Sequence, residues 1–490
     1  MVGEVRSVLT RTKAPSGEQR KPGNWLLLVG LGTFAVVLGL YVIYMVIHPK
    51  DYTMDPVDLA VYRSGGLIVR HVRPLYNPRL AAPLYDWIGY GKLHLPFTYT
   101  PFAAIAFALI SFVPWSLSLK LSVAVDIIAL LAALWFTLGG VGYRRITTRL
   151  GATLLGTAAV LWTEPVLRTI FLGQVNLVLM ALIIWDLCQP ATQPTTGRSR
   201  WWKGFGTGIA AGIKLTPLIF IPYLLLARKF RQAAMACAGF AFTVLLGFVI
   251  LPKDSTKWWF DGLFAQGGRT GFEGWAGNQS LDGIITRLTG SVNGAKPAWI
   301  VAIFLVGAAG IIAAALLDRK GYPLPGLLMA ALTGLLVSPI SWDHHWVWIA
   351  PGAVVAAHYA VQAWHRGARR AAWACGLLAV GLVAWFGAWP TSLFGVQPPN
   401  LGKDSLGLIW IPKNTNPTWY QWYGDRPWFP EYHWHGLALI VGNAYVLAGL
   451  AVSGALLAIS LLLPGRTKEH DDESRRTQAG LRGRLRLPAA

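Results

Sequence analysis

Three carboxylates open the first long polar segment of the chain, and one of them has the surroundings of a general base. Asp51, Asp55 and Asp58 lie in the run HPKDYTMDPVDLAVY, where Pro56 can occupy the first turn of a helix and Asp55 its N-cap. Asp58 then falls near the helix start, where the helix dipole also favours a carboxylate. The apolar residues after Asp58 can desolvate it and raise its basicity, as a group that takes a proton from a hydroxyl requires. Capping and catalysis both remain open.

Basic side chains that could hold a phosphate occur at two places in apolar surroundings. Lys214 is at the centre of AAGIKLTPLIF, and His344 and His345 follow Trp342 in SPISWDHHWVW. A lysine at membrane depth either reaches a headgroup or binds an anion, and lysine binds phosphate as a point charge. Adjacent histidines diverge on a helix and no third ligand is close in sequence, so we expect no metal site. We expect the histidines to contact phosphate, with the tryptophan shielding it.

Four polar residues interrupt the apolar run TEPVLRTIFLGQVNLVLM. Glu164 and Arg168 are four residues apart, which predicts an ion pair along one helix face. Gln174 and Asn176 flank a potential break after Gly173. Charged residues inside a membrane segment are costly and are usually paired or functional, so all four are candidates for a substrate site.

Two further segments contribute candidates for a sugar or lipid site. Asn278 and Gln279 in WAGNQSLDGIITRL offer amides suited to sugar hydroxyls, although Asn278 could equally cap a helix. Tyr99 lies with Phe97 and Phe102 in HLPFTYTPFAAIAF, a run typical of an interfacial turn that meets lipid tails. Such a turn could also shape a groove for a lipid substrate.

The composition places these residues in a membrane protein. Of 490 residues, 54% are hydrophobic and 13% charged, against about a quarter charged in soluble domains. The 24 tryptophans suit membrane–water interfaces. The net charge of +21 comes from short clusters between apolar runs, which indicates cytoplasmic loops facing anionic lipid and excludes nucleic acid as the expected partner. The three cysteines lie inside apolar runs without paired spacing, so neither a disulfide nor a zinc site is indicated.

Apolar runs divide the chain into about twelve predicted membrane segments. The runs are 25–47, 97–114, 118–140, 150–163, 169–188, 204–227, 232–251, 297–317, 323–341, 346–361, 371–391 and 438–463. The first is too long for a cleaved signal peptide and is interpreted as a retained span. The polar, basic ends, 1–24 and 464–490, are predicted to be disordered cytoplasmic tails around one membrane domain, 25–463.

The basic clusters predict the orientation of this domain. Placing them all in the cytoplasm puts the loops 48–117, 252–296 and 392–437 outside. Run 97–114 must then return to the outer side as an interfacial or re-entrant helix. Run 204–227, with Gly212, Lys214 and Pro217 at its centre, must be a broken hairpin. With this topology, the polar candidates collect at the outer ends of the segments.

Taken together, these residues could transfer a sugar from a lipid phosphate. A carboxylate would take the proton of the acceptor hydroxyl, cations would stabilise the departing phosphate, and amides would hold the sugar. A non-enzymatic flippase for the same polyprenyl phosphates is an alternative, but it should need cations accessible from both leaflets. A structural scaffold would leave Lys214 and Gln174 unexplained.

Six motifs in order resemble glycosyltransferase family 87. They are VDLAVYRSGG, LPFTYTPFAA, EPVLRTIFLGQVNLVLM, GIKLTP, NQSLDGIITRL and SPISWDHHWVW, across about residues 55–350. The likeness is greatest to mycobacterial polyprenol-phosphate-mannose-dependent α-1,2-mannosyltransferases, which act on phosphatidylinositol mannosides or lipomannan. Arabinofuranosyltransferases that use decaprenyl-phosphate arabinose are similar, and the SW-x-HHW motif favours mannose.

The resemblance implies a fold, a reaction and a site. The fold is an all-α polytopic GT-C membrane fold of about 12 transmembrane helices with outer juxtamembrane or re-entrant helices, in a bacterial inner membrane with the active site facing the periplasm. The reaction is inverting transfer of mannose from polyprenyl-phosphate mannose to a mannosylated lipid or glycan, without a cofactor or metal. The family's base falls on Asp58, and its donor-pocket motifs fall on Gln174, Asn176, Lys214, Trp342, His344 and His345.

Overall fold

The computed structural model describes most of the predicted membrane domain. The described residues are 24–47, 56–77, 96–189, 200–265, 271–390, 405–412 and 430–463. The predicted tails lie outside these ranges except for residue 24, as do parts of the three predicted outer loops.

Helices dominate the described residues, and the bounds of the α-helices and strands follow in chain order. They are α1 Trp25–Ile47, α2 Val57–Arg70, α3 Pro101–Phe107, α4 Trp115–Gly140, α5 Ile146–Val160, α6 Glu164–Leu172, α7 Asn176–Cys188, α8 Phe205–Ile213, α9 Phe220–Leu226, α10 Phe230–Ile250, α11 Pro252–Trp259, α12 Leu281–Thr289, α13 Val292–Arg319, α14 Pro323–Val337, α15 Ile349–His365, α16 Arg369–Trp385, β1 Trp389–Pro390, β2 Ser405–Leu406, α17 Gly436–Gly442 and α18 Ala444–Leu462. Short 3₁₀ helices lie at Ile110–Phe112, Thr216–Ile219, Leu263–Ala265, Asp343–Trp348, Leu408–Trp410 and Pro430–His433. The two strands pair antiparallel.

Among the described residues, five helices are long and apolar enough to cross a membrane, namely α1, α4, α10, α13 and α18. The bent pair α6 and α7 makes a sixth if it counts as one span. Other predicted spans correspond to helices of 15 to 17 residues, α5, α14, α15 and α16. The structure therefore confirms a multi-pass helical protein, while the number of twelve spans stays a prediction.

The predicted span 169–188 is not one straight helix. It bends by 115° between α6 and α7. Gly173 ends α6 in the left-handed region with a φ of 65°, which costs a glycine little. A Cβ at Gly173 would lie 2.7 Å from the Cβ of Leu59 on α2, so the break also lets α2 approach closely. The bend thus carries Gln174 and Asn176 to the point where α2 begins.

The predicted break in 204–227 is confirmed. α8 ends at Lys214, and a 3₁₀ turn then leads into α9. Gly204, before α8, lies against the backbone of Gln232 on α10, so the segment starts and finishes at the same end of the bundle. The ion pair between Lys229 and Asp318 also lies at this end. Lys214 lies at the other end of α8, about 13 Å from this end of the bundle.

The predicted interfacial segment 97–114 consists of two short helices rather than a crossing helix. α3 begins with Thr100 as N-cap, whose Oγ1 accepts from the Ala103 amide at 3.1 Å, and Pro101 fills the first turn. The Thr100 hydroxyl in turn donates to the carbonyl of Gly212 in α8. α2 packs on this segment so closely that a Cβ at Gly65 would meet the ring of Phe97. α2, the 97–112 segment and the hairpin therefore form one packed unit around the region of Asp58.

Candidate active site

One cavity of about 530 Å³ gathers most of the predicted site residues, within the volume range of small-molecule sites. Its polar lining comes from segments far apart in sequence. Among the predicted site residues, the lining includes Asp58, Tyr99, Arg168, Gln174, Lys214, Trp342, His344 and His345. Its apolar lining includes Ile219, Trp258, Leu263, Phe264, Val337 and Ile340. A chamber with both linings can hold the polar and the hydrocarbon part of one amphipathic molecule.

Asp58 lies in the first turn of α2 and lines the cavity. The N-cap position of α2 falls on Pro56. The predicted cap, Asp55, and Asp51 lie outside the described residues. Burial raises the pKa of the Asp58 carboxyl, and the charges of His344 and Lys214 oppose part of that rise. The result is a carboxylate more basic than usual, in the same cavity as Lys214 and the two histidines.

A hydrogen-bonded trio lies next to Asp58. The hydroxyls of Tyr62 and Tyr99 are 3.1 Å apart, Tyr62 donates to Gln174 Oε1, and Gln174 Nε2 donates to the Tyr99 hydroxyl at 3.2 Å. Gln174 Oε1 also accepts from the amide of Val175 at 3.0 Å, which fixes the amide orientation. Because these groups come from α2, the 96–100 segment and the α6–α7 break, the trio fixes the start of α2, and with it Asp58, relative to the bend.

Arg168 organises one of the two histidines through a buried carboxylate. Its Nε donates to Asp343 Oδ2 at 2.9 Å, and His344 Nδ1 lies 3.1 Å from Asp343 Oδ1. Burial alone would raise the pKa of Asp343, but the Arg168 charge and the His344 hydrogen bond hold it well below its usual value. An ionised Asp343 keeps the proton of His344 on Nδ1. The buried Nε2 of His344, which lacks a partner among the described residues, is left for a ligand.

Asn176 joins the two histidines to the lysine. Its Nδ2 donates to the backbone carbonyl of His344 at 2.9 Å, and its Oδ1 accepts from Lys214 Nζ at 2.9 Å. Lys214 Nζ is also 2.8 Å from Nε2 of His345. The predicted role of Asn176 is thereby refined, because it positions the cavity-lining Lys214 from a small adjoining pocket and does not line the main cavity.

Glu164 lies away from the cavity. Its carboxylate is 1% exposed and accepts hydrogen bonds from the Trp410 indole and the Tyr445 hydroxyl. The sequence predicted a pairing of Glu164 with Arg168, whereas the ion pair of Arg168 in the structure is with Asp343. Glu164 therefore joins α6 to α18 and to the 408–410 turn, and the structure does not place it with a substrate.

Asn278 and Gln279 are also outside the cavity and fully buried. Asn278 Oδ1 accepts from the amide of Ser341 at 2.9 Å, and its Nδ2 donates to the carbonyl of Pro339 at 3.1 Å. Gln279 Nε2 donates to the carbonyl of Gly442 at 2.8 Å. Their amides are thus engaged by backbone groups, which corrects the expectation that they hold a sugar. They support the turn that carries Trp342 instead.

Sequence reasoning missed Trp275 as a site residue. It lines the cavity, is 4% exposed, and its ring lies 5.5 Å from that of Trp342 in an edge-to-face arrangement. Two tryptophans on one wall offer the flat apolar surface on which sugar C–H groups pack. The chain has 24 tryptophans, and no local sequence pattern distinguishes Trp275 from the others. Only its contact with Trp342, which is distant in sequence, assigns it to the site.

The Arg168–Asp343 pair gives a stability prediction. Asp343→Asn should lower the free energy of unfolding of the detergent-purified protein by about 3–5 kcal/mol, because it leaves the buried Arg168 guanidinium without its counter-charge. A melting curve of the variant measures this loss. The double variant Arg168→Met/Asp343→Asn should recover much of that loss, since replacing both members of a buried pair is often neutral. A single variant that unfolds at the parental temperature would contradict this assignment.

Comparison with known proteins agrees with this geometry. Residues 97–339 match the model of glycosyltransferase family 87. A polyprenol-phosphate-mannose-dependent alpha-(1-2)-phosphatidylinositol pentamannoside mannosyltransferase of Mycobacterium tuberculosis is 30% identical over 455 residues, 92% of this chain and 94% of the relative. One from Mycolicibacterium smegmatis is 32% identical over 405 residues, 81% and 85% of the two chains. No solved structure matches the chain. A 30% identical relative covered nearly end to end shows that this chain belongs to glycosyltransferase family 87.

Proposed function

We propose that this membrane glycosyltransferase moves mannose from a polyprenyl-phosphate mannose to a hydroxyl of a mannosylated phosphatidylinositol, forming an α-1,2 linkage. One observation carries the proposal, namely a carboxylate that shares a cavity with an amine and two imidazoles. The names of the relatives supply the donor, the acceptor and the linkage. They also favour mannose over arabinose.

The proposed reaction is a single displacement. The acceptor oxygen bonds to the anomeric carbon of mannose as the bond from that carbon to the phosphate oxygen breaks, with inversion from β to α. Asp58 takes the hydroxyl proton, and the electron pair of the broken bond leaves with polyprenyl phosphate. Lys214 and His345 stabilise the growing negative charge on that phosphate, the group on which the transition-state charge accumulates. The Nε2 of His344, which carries no proton when Nδ1 does, can accept from a sugar hydroxyl instead.

The rest of the lining suits the remaining parts of the two substrates. Apolar side chains of the hairpin, α14 and the 258–264 segment can hold the first isoprene units of the donor. The Trp275 and Trp342 rings can pack against a sugar. The basic clusters between apolar runs favour a cytoplasmic location for the opposite end of the bundle, which supports the proposal of a cavity open to the periplasmic side of a bacterial inner membrane.

Reconstitution with defined substrates tests the proposal. Purified protein in vesicles, given labelled polyprenyl-phosphate mannose and a mannosylated phosphatidylinositol, should form a more mannosylated lipid whose new bond an α-1,2-specific mannosidase cleaves. Decaprenyl-phosphate arabinose should give no product. Inward movement of labelled donor without product would favour the flippase alternative, and product with arabinose alone would overturn the choice of sugar.

A further inference from the structure

The hydrogen bonds around His345 determine which of its nitrogens carries a proton. The backbone amide of Trp342 donates to Nδ1 of His345 over 3.2 Å. A nitrogen that accepts such a bond has no proton of its own. His345 is therefore not an imidazolium, and its single proton is on Nε2. Burial, which holds the pKa of His345 well below its ordinary value, acts in the same direction.

This assignment constrains Lys214. Its Nζ lies 2.8 Å from Nε2 of His345, the nitrogen that carries the proton. An ammonium has three donors and no acceptor, so it cannot receive this bond, whereas a neutral amine can. In this arrangement Lys214 is therefore an amine that accepts from His345 and donates one N–H to Asn176 Oδ1.

The other charged groups facing this amine come from three elements. Asp58 on α2 favours the ammonium, while Arg168 on α6 and His344 on the 343–348 turn also act on the shared cavity. The Arg168 charge is offset by Asp343. Among these groups, therefore, Asp58 is the carboxylate that opposes the cost of burying a charged Lys214.

We propose that binding of the donor phosphate is coupled to the uptake of one proton by Lys214. This rests on the proposed function and deepens it. The bound phosphodiester anion supplies the second negative charge that the buried amine lacks, so Lys214 becomes an ammonium. Because an ammonium no longer accepts from His345, the Nε2–H of His345 is released and donates to the phosphate. The pair changes from a mutual hydrogen bond to two donors on one anion, and the proton is returned when polyprenyl phosphate leaves.

Calorimetry in the Asp58→Asn variant measures this proton directly. That variant cannot turn over by the proposed mechanism and removes the Asp58 carboxylate, which could titrate in parallel, while Asp343 stays paired with Arg168. The probe is a short-chain prenyl phosphoryl mannose, because its phosphodiester has no titration near neutral pH. Near pH 8, the binding enthalpy measured in buffers of different ionisation enthalpy should vary linearly, with a slope approaching one proton taken up per ligand. Towards pH 5 the slope should fall, because Lys214 is then increasingly protonated before the probe binds, and at pH 8 and above the affinity should fall about tenfold per pH unit.

A permanently charged residue provides the matched control. Lys214→Arg, made in the same Asp58→Asn background, should bind the probe with no proton uptake at either pH, since a guanidinium stays protonated. A slope of zero near pH 8 in the variant that keeps Lys214 would overturn the inference while leaving the transferase proposal intact. A persistent slope with Lys214→Arg would assign the proton to another group and would also overturn it. Failure of the probe to bind the parental protein would instead remove the proposed function itself.

Discussion

Asp58→Asn should reduce mannose transfer by about 10²- to 10⁴-fold, the usual contribution of a general base. The amide has the shape of the carboxyl but cannot take the acceptor proton. Donor affinity should stay within a few-fold of the parental value, since Lys214 and the histidines remain in place. Turnover of labelled donor with saturating acceptor, together with donor binding measured without acceptor, separates these two effects.

Asp261→Asn is the matched control, because it removes an exposed carboxylate at a position that does not line the cavity. Its turnover should equal that of the parental protein. Parental turnover in purified Asp58→Asn protein would refute the base assignment. Loss of both turnover and thermal stability in that variant would mean that the carboxylate acts in folding instead.

Lys214→Met should weaken donor binding by about 10- to 100-fold, which corresponds to the loss of one charge-assisted hydrogen bond of about 1.5–3 kcal/mol. Methionine keeps a long apolar side chain, so the volume of the cavity changes little. Thermal stability should stay near the parental value, because the desolvation cost of the amine disappears together with its bond to Asn176. Equilibrium binding of a short-chain prenyl phosphoryl mannose and a melting curve measure both quantities.

Lys253→Met provides the comparison for Lys214→Met, since Lys253 is exposed in α11 and does not line the cavity. It should bind the donor normally. If Lys214→Met bound the donor as well as the parent does, the phosphate role of Lys214 would have to be abandoned. The remaining interpretation would be a lysine that only reaches a headgroup.

The sequence was informative where a residue type conflicts with its surroundings. Gly212, Lys214 and Pro217 cannot lie together in a regular membrane helix without cost, so the hairpin was predictable, and the structure confirms its break. The meeting of Asp58 with Lys214 and His344 followed from placing all basic clusters on one side. That rule needs only the charge pattern.

Other features depend on contacts that local patterns do not contain. A potential break after Gly173 was predictable, and the structure confirms it, but the 115° size of the bend and the close approach of Leu59 on α2 depend on long-range packing. Proximity along the helix predicted Glu164 as the partner of Arg168, but Asp343 is brought in from 175 residues away. Amides bind sugar hydroxyls and peptide groups equally well, so the sequence could not assign Asn278 to the backbone.

The amide of Asn176 has a consequence for the kind of anion that the cavity accepts. One planar group reaches Lys214 with its oxygen and the His344 carbonyl with its nitrogen. The gap between the amine and the imidazole-bearing turn is therefore set by a rigid spacer rather than by two flexible chains that could adjust independently. Such a spacer sets the width of the anion site. The cavity should therefore discriminate between a single phosphate group and a larger diphosphate by size as well as by charge.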